Sequence, residues 1–92
     1  MTTKDVTVHN PAGLHTYMAA EVTKVANEYR SDIWIAYGEN RAVAKSLLGI
    51  LALGVGDGAD VQISANGADE GAAVEAIAAL LERGSSQAGR PA

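Results

Sequence analysis

Segments that alternate every second residue are interleaved along this chain with segments whose apolar residues return every third or fourth, and both kinds are short. Val6 and Val8 share one face of the stretch from Lys4 to His9, while Asp5, Thr7 and His9 occupy the other, as in a half-buried strand. Val61, Ile63 and Ala65 alternate in the same way with Gln62 and Ser64. By contrast, Leu14, Met18, Val22, Val25, Ala26 and Tyr29 recur at helical spacing, with Glu21, Lys24 and Glu28 opposite, which predicts an amphipathic helix beginning near residue 15 or 16. A final helix is predicted from a cap at Asp69, a stripe of Ala73, Val74, Ile77, Leu80 and Leu81, and a stop at Gly84.

The middle of the chain completes the pattern. Asp32 to Tyr37 is a β-rich run closed by Gly38-Glu39-Asn40, after which Arg41 to Ala44 returns as a hairpin partner. Ser46 precedes a short apolar helix that stops at Gly54, a serine N-cap and a glycine C-terminal signal. The order strand, helix, strand, strand, helix, strand, helix makes an α+β domain with helices on one face of a four-stranded antiparallel sheet. With 92 residues there is room for one domain, expected over 1–84, followed by a flexible tail over 85–92. Phenylalanine is absent and alanine abundant, which predicts close packing of helices on the sheet.

Several function classes fall away. Without cysteine there is no disulfide, thiolate zinc site or thiol nucleophile. No apolar run approaches the roughly 20 residues that span a bilayer, and "MTTKDVTV" has no signal-peptide pattern, so a soluble, cytoplasmic protein is expected. Eleven acidic against seven basic residues give a net charge of −4 with no basic cluster, a poor basis for binding nucleic acid. "GVGDGAD" lacks the lysine of a phosphate-binding loop. The two histidines are far apart and no carboxylate pair is placed for acid–base work, so neither a metal nor a cofactor is expected.

"NPAGLHTYMAA" sets His15 at a predicted helix start. The first amides of a helix have no intrahelical acceptors, and the dipole there favours anions. The same potential disfavours imidazolium, leaving more of the ring as a neutral nucleophile. Spacing alone equally accommodates a histidine that caps the helix or fills a surface gap. Ser46 reads as an ordinary N-cap that would tolerate a phosphate. Leu47, Leu48 and Leu51 lie on a helix too short and too apolar to bury all of them, so an exposed patch suited to a partner is predicted, bordered by Ala19, Ala20 and Lys24. His9 falls on the solvent side of its strand. Tyr29, Trp34 and Tyr37 fit core or sheet-face packing.

Over residues 4 to 83 the chain resembles the HPr family, the histidine phosphocarriers of the bacterial phosphoenolpyruvate-dependent sugar phosphotransferase system. "NPAGLHTYMAA", "AKSLLGILALG" and "ISANGADEGAAVEAIAALL" carry the resemblance, without gaps in relative spacing. It implies an open-faced β-sandwich, with three helices over four antiparallel strands. It implies that His15 accepts a phosphoryl group from phosphorylated enzyme I and passes it to an enzyme IIA, with the amides of Thr16 and Tyr17 holding the oxygens. Ser46 then matches the serine modified by an HPr kinase, and Ala20, Lys24, Leu47, Leu48 and Leu51 match a partner-binding face. A protein docking through one face in turn with two partners is expected to be a monomer, and a carrier rather than an enzyme.

The family's run is typically GLHxRPA, whereas this chain has Gly13-Leu14-His15-Thr16-Tyr17-Met18-Ala19. Tyrosine replaces a charged fork suited to phosphate. Loss of one charged hydrogen bond weakens phosphoryl stabilisation by roughly 1.5–3 kcal/mol. Met18 in place of proline is the milder change. The alternative reading is therefore an HPr-like regulatory binding protein with little phosphotransfer.

Overall fold

The computed structural model describes residues 1–10 and 16–83. The predicted stop at Gly84, the tail over 85–92, Leu14 and His15 lie outside the described residues. In chain order the elements are β1 (Thr2–Thr7), α1 (Thr16–Ala26), β2 (Asp32–Tyr37), β3 (Asn40–Val43), α2 (Leu47–Leu53), β4 (Asp60–Asn66) and α3 (Glu70–Arg83). The strands form one antiparallel sheet in the order β1-β4-β2-β3. This is the α+β architecture expected from the sequence.

One sheet face carries Val6, Ile33, Ile35, Val61, Ile63 and Ala65, all buried. Against them pack Met18, Ala19, Val22 and Ala26 of α1, Ile50 of α2, and Ala73, Val74, Ile77, Ala78, Leu80 and Leu81 of α3. Four of these helical residues are alanines, whose small side chains bring the helices close to the sheet. On the outer edge of that face, Thr2 and Lys4 replace apolar contact with polar ties to α3: the Thr2 hydroxyl donates to Glu70 at 2.6 Å and the Lys4 ammonium to Glu75 at 3.1 Å. The opposite face bears the Thr7–Asp60 and Gln62–Asp5 hydrogen bonds, and the Arg41 guanidinium lies 5.2 Å from the centre of the Trp34 ring. Tyr29 and Tyr37 pack against the core.

Three details depart from the periodicity. β1 ends at Thr7, opposite Asp60, the first residue of β4. Past that point the Val8 N–H donates to the Ala59 carbonyl and the His9 N–H to that of Leu81, so Val8 is buried without belonging to the strand. The β2–β3 hairpin turns on two residues, Gly38 and Glu39, with Tyr37 opposite Asn40. Gly38 has φ +62° and Glu39 a negative φ, the signs of a II′ turn, which moves β3 one residue earlier than Arg41. Finally, the Asp69 carboxylate is turned away from α3 and accepts the backbone N–H groups of Arg30 and Ser31 and the Ser31 hydroxyl. These bonds hold its pKa below the ordinary carboxylate value, the Ser31 hydroxyl contributing most. Its carbonyl still begins the helix, accepting from Ala73.

Glu70, in the first turn of α3, accepts from the Thr2 hydroxyl and from the Gly67 N–H at 3.1 Å. These bonds, the first the larger, lower its pKa from 4.5 to about 2. A depressed carboxylate stabilises the fold above its ordinary pKa and loses that contribution as pH falls through the folded value. The Tm gap between the wild type and Glu70→Gln is therefore expected to be widest near neutrality and to close toward about pH 2, followed by circular dichroism. At Gly67 an added Cβ would stand 2.6 Å from the Ser31 hydroxyl oxygen and 2.7 Å from the Ser31 Cα. Gly67→Ala is predicted to lower stability in urea by about 1–3 kcal/mol through overpacking.

Candidate functional site

The sequence that enters the predicted acceptor segment is held by three hydrogen bonds to two elements. The Val8 carbonyl accepts from Gly58 at 2.8 Å, the His9 N–H reaches Leu81 of α3 at 3.0 Å, and the Asn10 N–H donates to the Asp57 carboxylate at 2.9 Å. Asn10 is itself buried. These ties join the end of β1 to the loop before β4 and to the last turn of α3, and residues 11–15 follow directly. His9 is exposed, as its strand phase predicts.

The described part of α1 runs from Thr16 to Ala26, and the predicted helix start near residue 15 or 16 falls at the edge of the described residues. The first backbone N–H groups of a helix lack intrahelical acceptors, and the positive end of its dipole lies there. The first turn contains no acidic residue to occupy that potential. Thr16 and Tyr17 are exposed while Met18 is buried. Met18 thus anchors the first turn from below, with Tyr17 left at the surface.

α2 presents the second group of predicted residues. Ser46 has extended backbone angles, φ −108° and ψ 111°, and its hydroxyl oxygen accepts the Gly49 N–H at 3.1 Å. It is an N-cap, as expected, and it is exposed. Gly49 admits this contact because an added Cβ would stand only 3.3 Å from the Ser46 hydroxyl oxygen. Gly54 closes the helix in the left-handed region at φ 67°, where glycine carries no Cβ penalty. Between the caps, Ile50 is buried and the leucines divide: Leu48 is 78% exposed and Leu47 36%, whereas Leu51 is half-buried against the core.

α1 and α2 are in contact with each other. Ala20 and Lys24 are exposed on α1. Ala19 is fully buried in the core cluster, one position from the exposed Ala20, which removes it from the predicted border of the patch. Tyr17, 44% exposed, joins Leu47 and Leu48 among the large apolar side chains that face solvent. The resemblance gave Tyr17 a phosphate-holding amide and a side chain that interrupts the phosphate site; its place one residue before the buried Met18 was the available signal that its ring would face outward. Among the described residues no cluster of three or more His, Asp and Glu is placed to hold a metal ion, and no helix is long and apolar enough to cross a membrane.

A family model described as the PTS HPr component phosphorylation site matches residues 2–83. The phosphocarrier protein NPr of Shewanella violacea is 38% identical over 79 residues, covering 86% of this chain and 87% of the relative. Among solved structures, HPr from Thermoanaerobacter tengcongensis superposes with a TM-score of 0.88 at 35% identity, covering both chains completely. The phosphocarrier protein HPr from Bacillus anthracis gives 0.85 at 35% identity, covering 87% of this chain and 95% of that one.

Ser46→Ala is predicted to cost about 0.5–2 kcal/mol by loss of the cap, read from denaturant unfolding. Leu48→Ala is expected to change stability by less than about 0.5 kcal/mol, as for exposed sites generally.

Proposed function

This chain belongs to the HPr family of phosphocarriers of the phosphotransferase system, and we propose that His15 is its phosphoryl acceptor, loaded by phosphorylated enzyme I and unloaded to an enzyme IIA of a sugar transporter. The observation that carries the proposal is the match of residues 2–83 to the family model of the PTS HPr component phosphorylation site, a range that includes His15. In each transfer the phosphorus undergoes in-line displacement. A lone pair on the His15 ring nitrogen nearer the backbone forms the N–P bond while the bond from phosphorus to the donor atom breaks, and that atom keeps the electron pair. Transfer onward reverses the roles. The amides of Thr16 and Tyr17 serve the phosphoryl oxygens, and the helix dipole stabilises the dianion. The protein contributes the acceptor and the partners contribute the remaining chemistry, so it acts as a carrier rather than as an enzyme alone.

Docking is assigned to Ala20, Lys24, Leu47, Leu48 and Leu51, supported by the exposure of Leu48 and Leu47 on a helix in contact with α1. The patch serves successive partners one at a time, which suits a monomer working in the cytoplasm. Ser46 is assigned as a regulatory site for a serine kinase. A phosphate there would keep its acceptor oxygens near the first amides of α2 while placing charge beside the leucines. The regulatory alternative, a binding protein with little phosphotransfer, draws on Tyr17.

The test is incubation of the purified protein with phosphoenolpyruvate, magnesium and enzyme I, followed by intact mass. One added phosphoryl group, lost in acid and absent from His15→Ala, is expected; no addition to a folded sample with several enzymes I would favour the regulatory reading. Ser46→Asp is predicted to weaken binding to enzyme I, measured by titration calorimetry, and equal binding would move the docking face elsewhere.

A further inference from the structure

Four asparagines occur in the chain, and Asn66 is the one followed by glycine. That pair carries a reaction of its own. Once the backbone nitrogen after an asparagine gives up its proton, it can attack the side-chain carbonyl carbon, and glycine opposes the attack least because no Cβ stands in the way. Here the glycine is required by packing, since a Cβ on Gly67 would stand 2.6 Å from the Ser31 hydroxyl oxygen and 2.7 Å from the Ser31 Cα. Asn66 is exposed and is the last residue of β4. Pairing with β1 stops at Ala65, so the ladder partner of Asn66 is Asp32 alone, the first residue of β2. The reactive pair thus sits where a ladder ends, the part of a sheet that opens most readily.

Glu70 holds the nucleophile. Its carboxylate accepts the Gly67 N–H at 3.1 Å, and its own N–H donates to the Gly67 carbonyl at 3.3 Å, the reciprocal arrangement of a capping box. The other carboxylate oxygen accepts from the Thr2 hydroxyl of β1 at 2.6 Å, which fastens the guard to the sheet. With a pKa of about 2, this carboxylate is too weak a base to take the amide proton itself. We propose that Asn66 is a site of spontaneous modification, kept in its amide form by the grip of Glu70 on Gly67 and converted when the junction between β4 and α3 opens. In the open junction hydroxide removes the Gly67 amide proton, the nitrogen bonds to Asn66 Cγ, and the side-chain nitrogen takes a proton from water and leaves as ammonia. Water then adds to the resulting cyclic imide. Cleavage of the bond from the Gly67 nitrogen to Cγ gives aspartate; cleavage of its bond to the main-chain carbonyl carbon gives isoaspartate, with an extra methylene in the main chain. Either product adds a carboxylate beside Asp32, a destabilising cross-strand pair. Isoaspartate also lengthens the chain ahead of Gly67 and displaces it from Ser31 and Glu70. A junction that has opened is thereby left weaker, and the modification records the opening.

The test follows residue 66 in mildly alkaline buffer by peptide mapping and enzymatic methylation of isoaspartate. It compares folded wild type, Glu70→Ala, Glu70→Gln, Thr2→Val and Ile50→Val, with wild type in urea as the unguarded reference. Glu70→Ala is expected to convert about tenfold faster than folded wild type, as for loss of one hydrogen bond to a charged group. Glu70→Gln, which keeps an acceptor oxygen, is expected to convert more slowly than Glu70→Ala. Thr2→Val, which loosens the guard without touching Gly67, is expected to accelerate conversion even if Glu70→Ala does not fold. Ile50→Val, a core change on α2, is expected to match the wild type. Unchanged conversion in the Glu70 and Thr2 variants would overturn the proposal, and slower conversion would do so by making the carboxylate the base. Equal acceleration by Ile50→Val would overturn it too, since the route would then be global unfolding. So would folded wild type converting as fast as the chain in urea.

Discussion

The pairing of β4 on both sides governs where everything else can lie. Its seven residues bond β1 along one edge, from Ala65 opposite Thr2 to Asp60 opposite Thr7, and β2 along the other, from Asn66 opposite Asp32 to Gln62 opposite Ala36. Val61, Ile63 and Ala65 consequently point together under the helices. A slip of one residue would carry all three to the solvent face and bring Gln62 and Ser64 into the core. Because the strand is central, such a slip would break two ladders, and the alternation in the sequence is therefore a strong determinant of register.

The consequences reach the functional end of the molecule through β1. Its ladder runs out where β4 begins, and the chain then passes to bonds with Gly58, Ala59, Leu81 and Asp57. Residues 8–10 are thereby tied to the loop before β4 and to α3, while α1 is seated by Met18, Ala19, Val22 and Ala26. A phosphocarrier benefits from such an arrangement. In the proposed reading its partners meet Ala20, Leu47 and Leu48, which are exposed, while Met18 and Ile50 of the same helices are buried in the core.

Much of this was legible in the sequence because the relevant physics is local. The period-two face of β4, the stripe of α3, the Ser46 cap and the Gly54 stop each depend on a few neighbouring residues, and each is found where the pattern puts it. What was not legible depends on distant partners. Asp69 has the sequence position of a cap, yet its carboxylate serves Arg30 and Ser31, because the α1–β2 connection brings unpaired amides beside it. The end of β1 was set by where β4 starts, a fact outside the Lys4–His9 stretch. The division among Leu47, Leu48 and Leu51 follows from the orientation of α2 on the core, which a seven-residue helix with apolar residues on several sides does not reveal. Ala19 and Ala20 look alike in composition; the seating of α1 buries one and exposes the other.

The central claim concerns one ring nitrogen of His15, the residue before Thr16 in the sequence, and nuclear magnetic resonance of the phosphorylated, ¹⁵N-labelled protein addresses it most directly. The account predicts a phosphorus–nitrogen coupling to Nδ1 of His15, with the largest amide shifts at Thr16 and Tyr17 and little change in β1 to β4. Phosphorus coupled to His9, or label on a hydroxyl with the His15 ring unchanged, would contradict it.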